Sequence, residues 1–120
     1  MRESFAHDAV VALEEGHDLR APGGAVTVAL CGHWEHDPPC PLAPHHTAAE
    51  RDGEVVRLRV LFAAAPGDEA EVRGRIDDAL SAGELVTPEG AVARWRLVSS
   101  EVGAVRPDEA EHARRLAGAR

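Results

Sequence analysis

The sequence predicts a single α+β domain over residues 1–120: an open-faced sandwich of the ferredoxin-like type, in the order α-β-β-α-β-α, with helices covering one side of the sheet. Three observations lead there. Residues 55–63 and 92–99 alternate apolar residues with arginine at the period of a strand. The stretches after Pro66 and Pro107 carry acids and then apolar residues at helical spacing. Between the two alternating stretches lies enough chain for a crossover that sets its strands parallel.

The elements follow in order. Phe5, Ala9, Val10 and Leu13 recur at helical spacing and Gly16 follows, so residues 2–15 are expected as a helix. Pro22-Gly23-Gly24 reads as a turn. From 25 to 34, Val26, Val28, Leu30 and Trp34 alternate with Thr27, Ala29, Cys31 and His33, which predicts a strand. A proline-rich loop follows. Residues 55–63 form the clearest strand, with Val56, Leu58, Val60 and Phe62 on one face and Arg57 and Arg59 on the other. Asp68 then caps a helix whose buried stripe is Val72, Ile76, Ala79 and Leu80, stopped by Gly83. Leu85 and Val86 are a short hairpin partner for a third strand at 92–99, where Ala93, Trp95 and Leu97 oppose Arg94 and Arg96. The last helix starts at Pro107 and runs to about residue 116. The first two strands are expected to be antiparallel, joined by the proline-rich loop.

The core is expected from Leu58, Val60, Phe62, Val72, Ile76, Leu80, Trp95 and Leu97. Aromatic content is only 3 %, so small aliphatic side chains must fill most of it, anchored by Phe5, Trp34, Phe62 and Trp95. Net charge is −8, and every basic residue is arginine, in short runs diluted by acids. A phosphate backbone needs clustered cations, so nucleic acid is not an expected partner. No apolar run reaches the length of a membrane span, and the first residues lack a signal-peptide pattern; the expected location is cytoplasmic. The arginine-bearing sheet face suggests a homodimer that buries it.

Chemistry concentrates between Cys31 and His46. These sixteen positions hold both cysteines and four of the seven histidines, with four of the eight prolines among them. Cys31, His33, His36, Cys40, His45 and His46 are candidate ligands, since thiolate and imidazole suit zinc or a similar divalent metal. Cys31 and His33 share a face if the segment is a strand. His33/His36 and Cys40/His45 make two close pairs, with Glu35 and Asp37 available to orient imidazoles. No standard zinc spacing is present. A disulfide between Cys31 and Cys40 is disfavoured in a reducing compartment. Cys40 beside His36, His45 or His46 is also the minimum for a thiol nucleophile with a base. The P-loop, G-x-G-x-x-G, H-E-x-x-H and G-x-S-x-G patterns are all absent. His7, His17 and His112 read as surface residues, and Ser99-Ser100 as a turn. The leading expectation is a metal-binding accessory or regulatory protein. The alternatives are a small enzyme or ligand-binding domain walled by the loop, and an interaction module that presents the loop as a proline-braced epitope to a protein partner.

Overall fold

The computed structural model describes residues 2–13, 17–31, 43–87 and 89–118. Five strands and three helices follow one another as β1 (Glu3–Leu13), α1 (Ala21–Cys31), β2 (His45–Asp52), β3 (Val55–Ala64), α2 (Glu69–Ala82), β4 (Glu84–Val86), β5 (Val92–Gly103) and α3 (Ala110–Ala117). The strands form one sheet in the order β2-β3-β1-β5-β4, and every neighbouring pair is antiparallel. The domain is therefore α+β, as the sequence predicts. Among the described residues no helix is long and apolar enough to cross a membrane.

The element order differs from the predicted α-β-β-α-β-α at its start. Residues 2–13 are a strand, not a helix. Phe5, His7, Ala9, Val11 and Leu13 share one face of β1, against Phe62, Val60, Leu58 and Val56 of β3. The opposite face is also partly buried, with Ala6 fully enclosed. A strand buried on both sides loses the apolar–polar alternation that would have marked it. The apolar residues left over happen to fit a helical spacing.

Residues 21–31 are a helix, not a strand. Pro22 sits in the first turn, where its missing N–H costs no hydrogen bond. Asp18 organises the entry: its side chain accepts from the Arg20 N–H at 2.9 Å, and its carbonyl accepts from Ala21 N–H. Gly23 is an unusual helix residue, and its neighbour explains it. A Cβ there would stand 3.0 Å from Thr47 Oγ1 on β2, so glycine lets helix and strand approach closely. Thus β2, not the predicted strand at 25–34, is the antiparallel neighbour of β3, joined to it by a tight turn with Gly53 at φ +66°.

From residue 55 onward the prediction holds closely. β3, α2, the short β4, β5 and α3 lie where periodicity places them, although Asp68 precedes α2 without a side-chain cap bond and β5 runs on past residue 99 to Gly103. β3 and β5 each run antiparallel to β1, so they are parallel to one another, with β1 inserted between them. Gly83 ends α2 at φ +70° and passes its carbonyl to the Trp95 N–H at 3.0 Å, while the Trp95 indole N–H donates to Leu80 O. The core cluster includes Leu58, Val60, Phe62, Val72, Ile76, Leu80 and Trp95, with Leu97 packed at its margin.

One-sided coverage does not hold. α1 and α2 lie on the face of Leu58 and Phe62, but α3 lies against the reverse face, over β1 and β3. Ala6, Leu61, Ala63 and Ala113 are buried there. The Arg57/Arg59/Arg94/Arg96 face is thus half covered by the chain's own last helix.

Loss of a fully buried ring leaves a cavity, so Phe62→Ala is expected to cost about 3–5 kcal/mol in urea melts. Gly83→Ala would place a Cβ 2.6 Å from the Trp95 carbonyl at a positive φ, and should cost about 1–3 kcal/mol. Gly67→Ala meets open space and should stay within about 0.5 kcal/mol of the parent.

Candidate functional site

The Cys/His-rich segment is the connection from α1 to β2. Cys31 is the last residue of α1, and His45 and His46 open β2. His33, His36 and Cys40 lie outside the described residues, as does the side chain of Cys31 and the predicted anchor Trp34.

The described ends of this connection are tied together. His45 Nδ1–H donates to Ala43 O at 3.0 Å, because a carbonyl can only accept. In the neutral ring this leaves Nε2 as the acceptor, and Thr27 Oγ1 lies 2.9 Å from it. Thr27 belongs to α1, so this bond joins the helix to the first residue of β2. Ala43 is fully buried, and Pro44 O accepts from Ala63 N–H at 2.9 Å.

His45 and His46 do not share a site. Successive residues of a strand point to opposite faces. His45 faces α1, whereas His46 faces α3 and packs against His112 with the rings tilted by 57°, centroids 4.8 Å apart. Burial and the nearby His112 push the His46 pKa down. Among the described residues, no group of three or more His, Cys, Asp or Glu side chains is placed to hold a metal ion.

Two polar clusters that the sequence hides flank β1. On the α2 side, His7 is 3 % exposed and is no surface residue. Arg73 of α2 donates to its Nδ1 at 3.0 Å and to Ala6 O at 2.8 Å, and its guanidinium lies over the Phe62 ring. A guanidinium has no lone pair to offer, so His7 must keep Nδ1 unprotonated and carry its hydrogen on Nε2. That hydrogen points to Ser100 Oγ at 2.7 Å, and Ser100 in turn donates to Asp77. Ser100 lies within β5, not at a turn. Serine, histidine and aspartate meet here, yet the wiring is not that of an activated nucleophile. The imidazole nitrogen facing Ser100 bears a proton and cannot accept one. The cluster orders donors and acceptors across β1, α2 and β5.

On the reverse side, Arg59 is 14 % exposed and holds Glu109 of the α3 entry through two bonds, 2.6 and 2.9 Å, with Asp8 at 2.7 Å. It also donates to Ala104 O. The Arg59 hydrogen bonds hold the Glu109 carboxyl down to about 2.

A cleft of about 980 Å³ opens at the far end of the sheet, lined by His17, Arg51, Glu54, Arg94, Trp95 and Arg96. None of the six candidate ligands is among its described lining. Arg51 is engaged there with Leu13 O and Gly53 O, each at 3.1 Å. His17 is partly exposed, and its Nδ1 accepts from Arg94 N–H. No protein-family model matches this chain, and no curated protein matches it.

The two clusters predict a stability that falls in two steps on acidification. Burial is the main cause that lowers the His7 pKa below 6.5, with Arg73 adding to it and Asp77 opposing. The unfolded chain therefore binds the proton more readily, and the stabilisation present above pH 6.5 is lost as pH falls below it. Glu109 contributes above its usual 4.5 and loses that contribution as pH falls toward about 2. In urea melts, His7→Asn, whose Oδ1 can accept from Arg73, should flatten the first step. Glu109→Gln should flatten the second.

Proposed function

We propose that the α1–β2 connection binds zinc or a similar divalent ion, with Cys31, His33, His36 and Cys40 as ligands, and that the protein is a small metal-binding accessory or regulatory protein. The observation that carries this reading is the fate of the other two candidates. His45 spends its nitrogens on Thr27 and Ala43, and His46 turns to the opposite face toward His112. Four donors remain in sequence, two thiolates and two imidazoles, which is the number and kind a tetrahedral zinc site requires. The Thr27–His45 bond holds the two ends of the connection together, so the loop that carries these donors is closed at its base. Closure lowers the entropy lost when a loop gathers around an ion.

The same reading extends to the fold. With short β4 set aside, the long strands lie in the order β2-β3-β1-β5, joined by α1 and α2 as two interleaved β–α–β units. This supports a ferredoxin-like variant with an added edge strand and a third helix on the reverse face.

Elemental analysis of protein purified without an affinity tag, followed by zinc titration against a chromophoric chelator, tests the metal reading. One ion per chain is expected. Cys40→Ser and His36→Ala should each weaken binding by an order of magnitude or more, as each removes a direct donor. His7→Ala, His46→Ala and His112→Ala should leave the affinity of folded protein unchanged. Affinity should fall as pH drops through about 6.5, because the imidazoles must be neutral to bind. Absence of stoichiometric zinc binding sinks the reading.

A further inference from the structure

We propose that the protein forms a two-fold dimer by pairing the open edge of β5 with the same edge of a second copy, in the one register that places Arg96 opposite Glu101. The inner side of β5 pairs with β1 from Trp95 to Gly103, interrupted at Val98 by a bulge. On the outer side, β4 covers only Val92 to Arg94, and Gly83 takes the Trp95 N–H. From Arg96 to Gly103 no strand lies outside β5 among the described residues. Such a stretch offers a row of backbone donors and acceptors to any passing strand.

Exposed apolar residues mark the same place. All four large exposed hydrophobics among the described residues lie on β4 and β5, and Val98 and Val102, 49 % and 67 % exposed, stand on the uncovered edge.

The charge pattern selects the partner. β5 carries a bulge between Leu97 and Ser99, opposite Val10/Val11. In a regular strand, Arg96 and Glu101 would point to opposite faces. The bulge corrects this: Arg96 pairs with Ala12 and Glu101 with Asp8, and Ala12 and Asp8 share a face of β1. Arg96 and Glu101 therefore lie on the same face of the sheet. Neither side chain has a hydrogen-bond or ion-pair partner among the described residues.

An antiparallel copy of β5 about a two-fold axis between Val98 and Ser99 then sets Arg96 against Glu101 of the second copy, twice over. Leu97 meets Ser100 of the second copy, and these two also share a face, since they pair with Val11 and Ala9. Registers that oppose Arg96 to Arg96, or Glu101 to Glu101, bring like charges together and are disfavoured. The charges that guard this edge against unrelated strands thus admit its own copy in a single alignment. The pairing spans Arg96 to Glu101 of each copy, because Gly83 and Glu84 already stand outside Trp95 and Arg94, and beyond Gly103 the chain turns over the reverse face, where Ala104 O meets Arg59.

Sedimentation velocity across the micromolar range tests the proposal on the whole chain. A reversible dimer is expected, weaker at high salt. Arg96→Glu and Glu101→Arg should each raise the dimer dissociation constant roughly tenfold or more, since each turns two attractive contacts into two repulsive ones. The double variant Arg96→Glu/Glu101→Arg should recover the parent constant, because it restores both pairs with the signs exchanged. Circular dichroism checks that each variant is folded. As a second measurement on the parent alone, hydrogen exchange of the β5 edge amides should slow as concentration rises. A protein that stays monomeric, a dimer indifferent to the single charge reversals, or edge amides whose exchange ignores concentration each overturns the proposal.

Discussion

Two adjacent residues of one strand hold the layers of this molecule together. His7 and Asp8 sit side by side on β1 and therefore point to opposite faces of the sheet. On one face His7 is gripped by Arg73 of α2, and on the other Asp8 is gripped by Arg59, which also takes Glu109 at the start of α3. Each arginine makes several bonds from a largely enclosed position, so removing either partner would leave a charge or donor buried and unmatched. The helices are fixed to the sheet by apolar contact, but their alignment along β1 is fixed here.

How much of this could be read from the residues depended on whether a strand is buried on one face or two. β3 alternates cleanly because its reverse face carries Arg57 and Arg59, and β5 because of Arg94 and Arg96. Both were legible. β1 lies at the centre of the sheet with Ala6 buried behind it, and its pattern blurs into a helical one. α1 misled in the opposite direction. Val26, Val28 and Leu30 alternate, and a Pro-Gly-Gly triplet is normally a turn. The helix forms because Pro22 needs no N–H partner in a first turn and because Gly23 must admit Thr47, a requirement that no local pattern expresses. β2, with the sequence His-His-Thr-Ala-Ala-Glu-Arg-Asp, carries almost no apolar signal and exists because β3 offers it an edge.

The candidate site was legible as a concentration of residue types and not as a geometry. Composition picked out residues 31–46, but could not tell that His45 and His46 point apart, since that follows from their lying on a strand the sequence did not reveal. The polar clusters on β1 were hidden for a related reason. His7 and Ser100 are far apart in the chain, and a lone histidine on an apparent helix gives no sign that it will meet an arginine, a serine and an aspartate.

The position of β1 also bears on how the chain comes to its structure as it is made. Of the five strands of this sheet the central one is made first, and both of its neighbours are remote: Phe5 pairs with Phe62, and His7 with Val102. Until β3 has emerged, β1 has no strand to join, and until β5 follows it is an uncovered apolar segment on one side. Contacts between such distant parts of a chain form slowly. The β2–β3 hairpin, closed by a tight turn and drawn against α2, can assemble from local contacts alone. During synthesis β1 must wait in an unpaired state, and the last residues of the sheet decide when that wait is over.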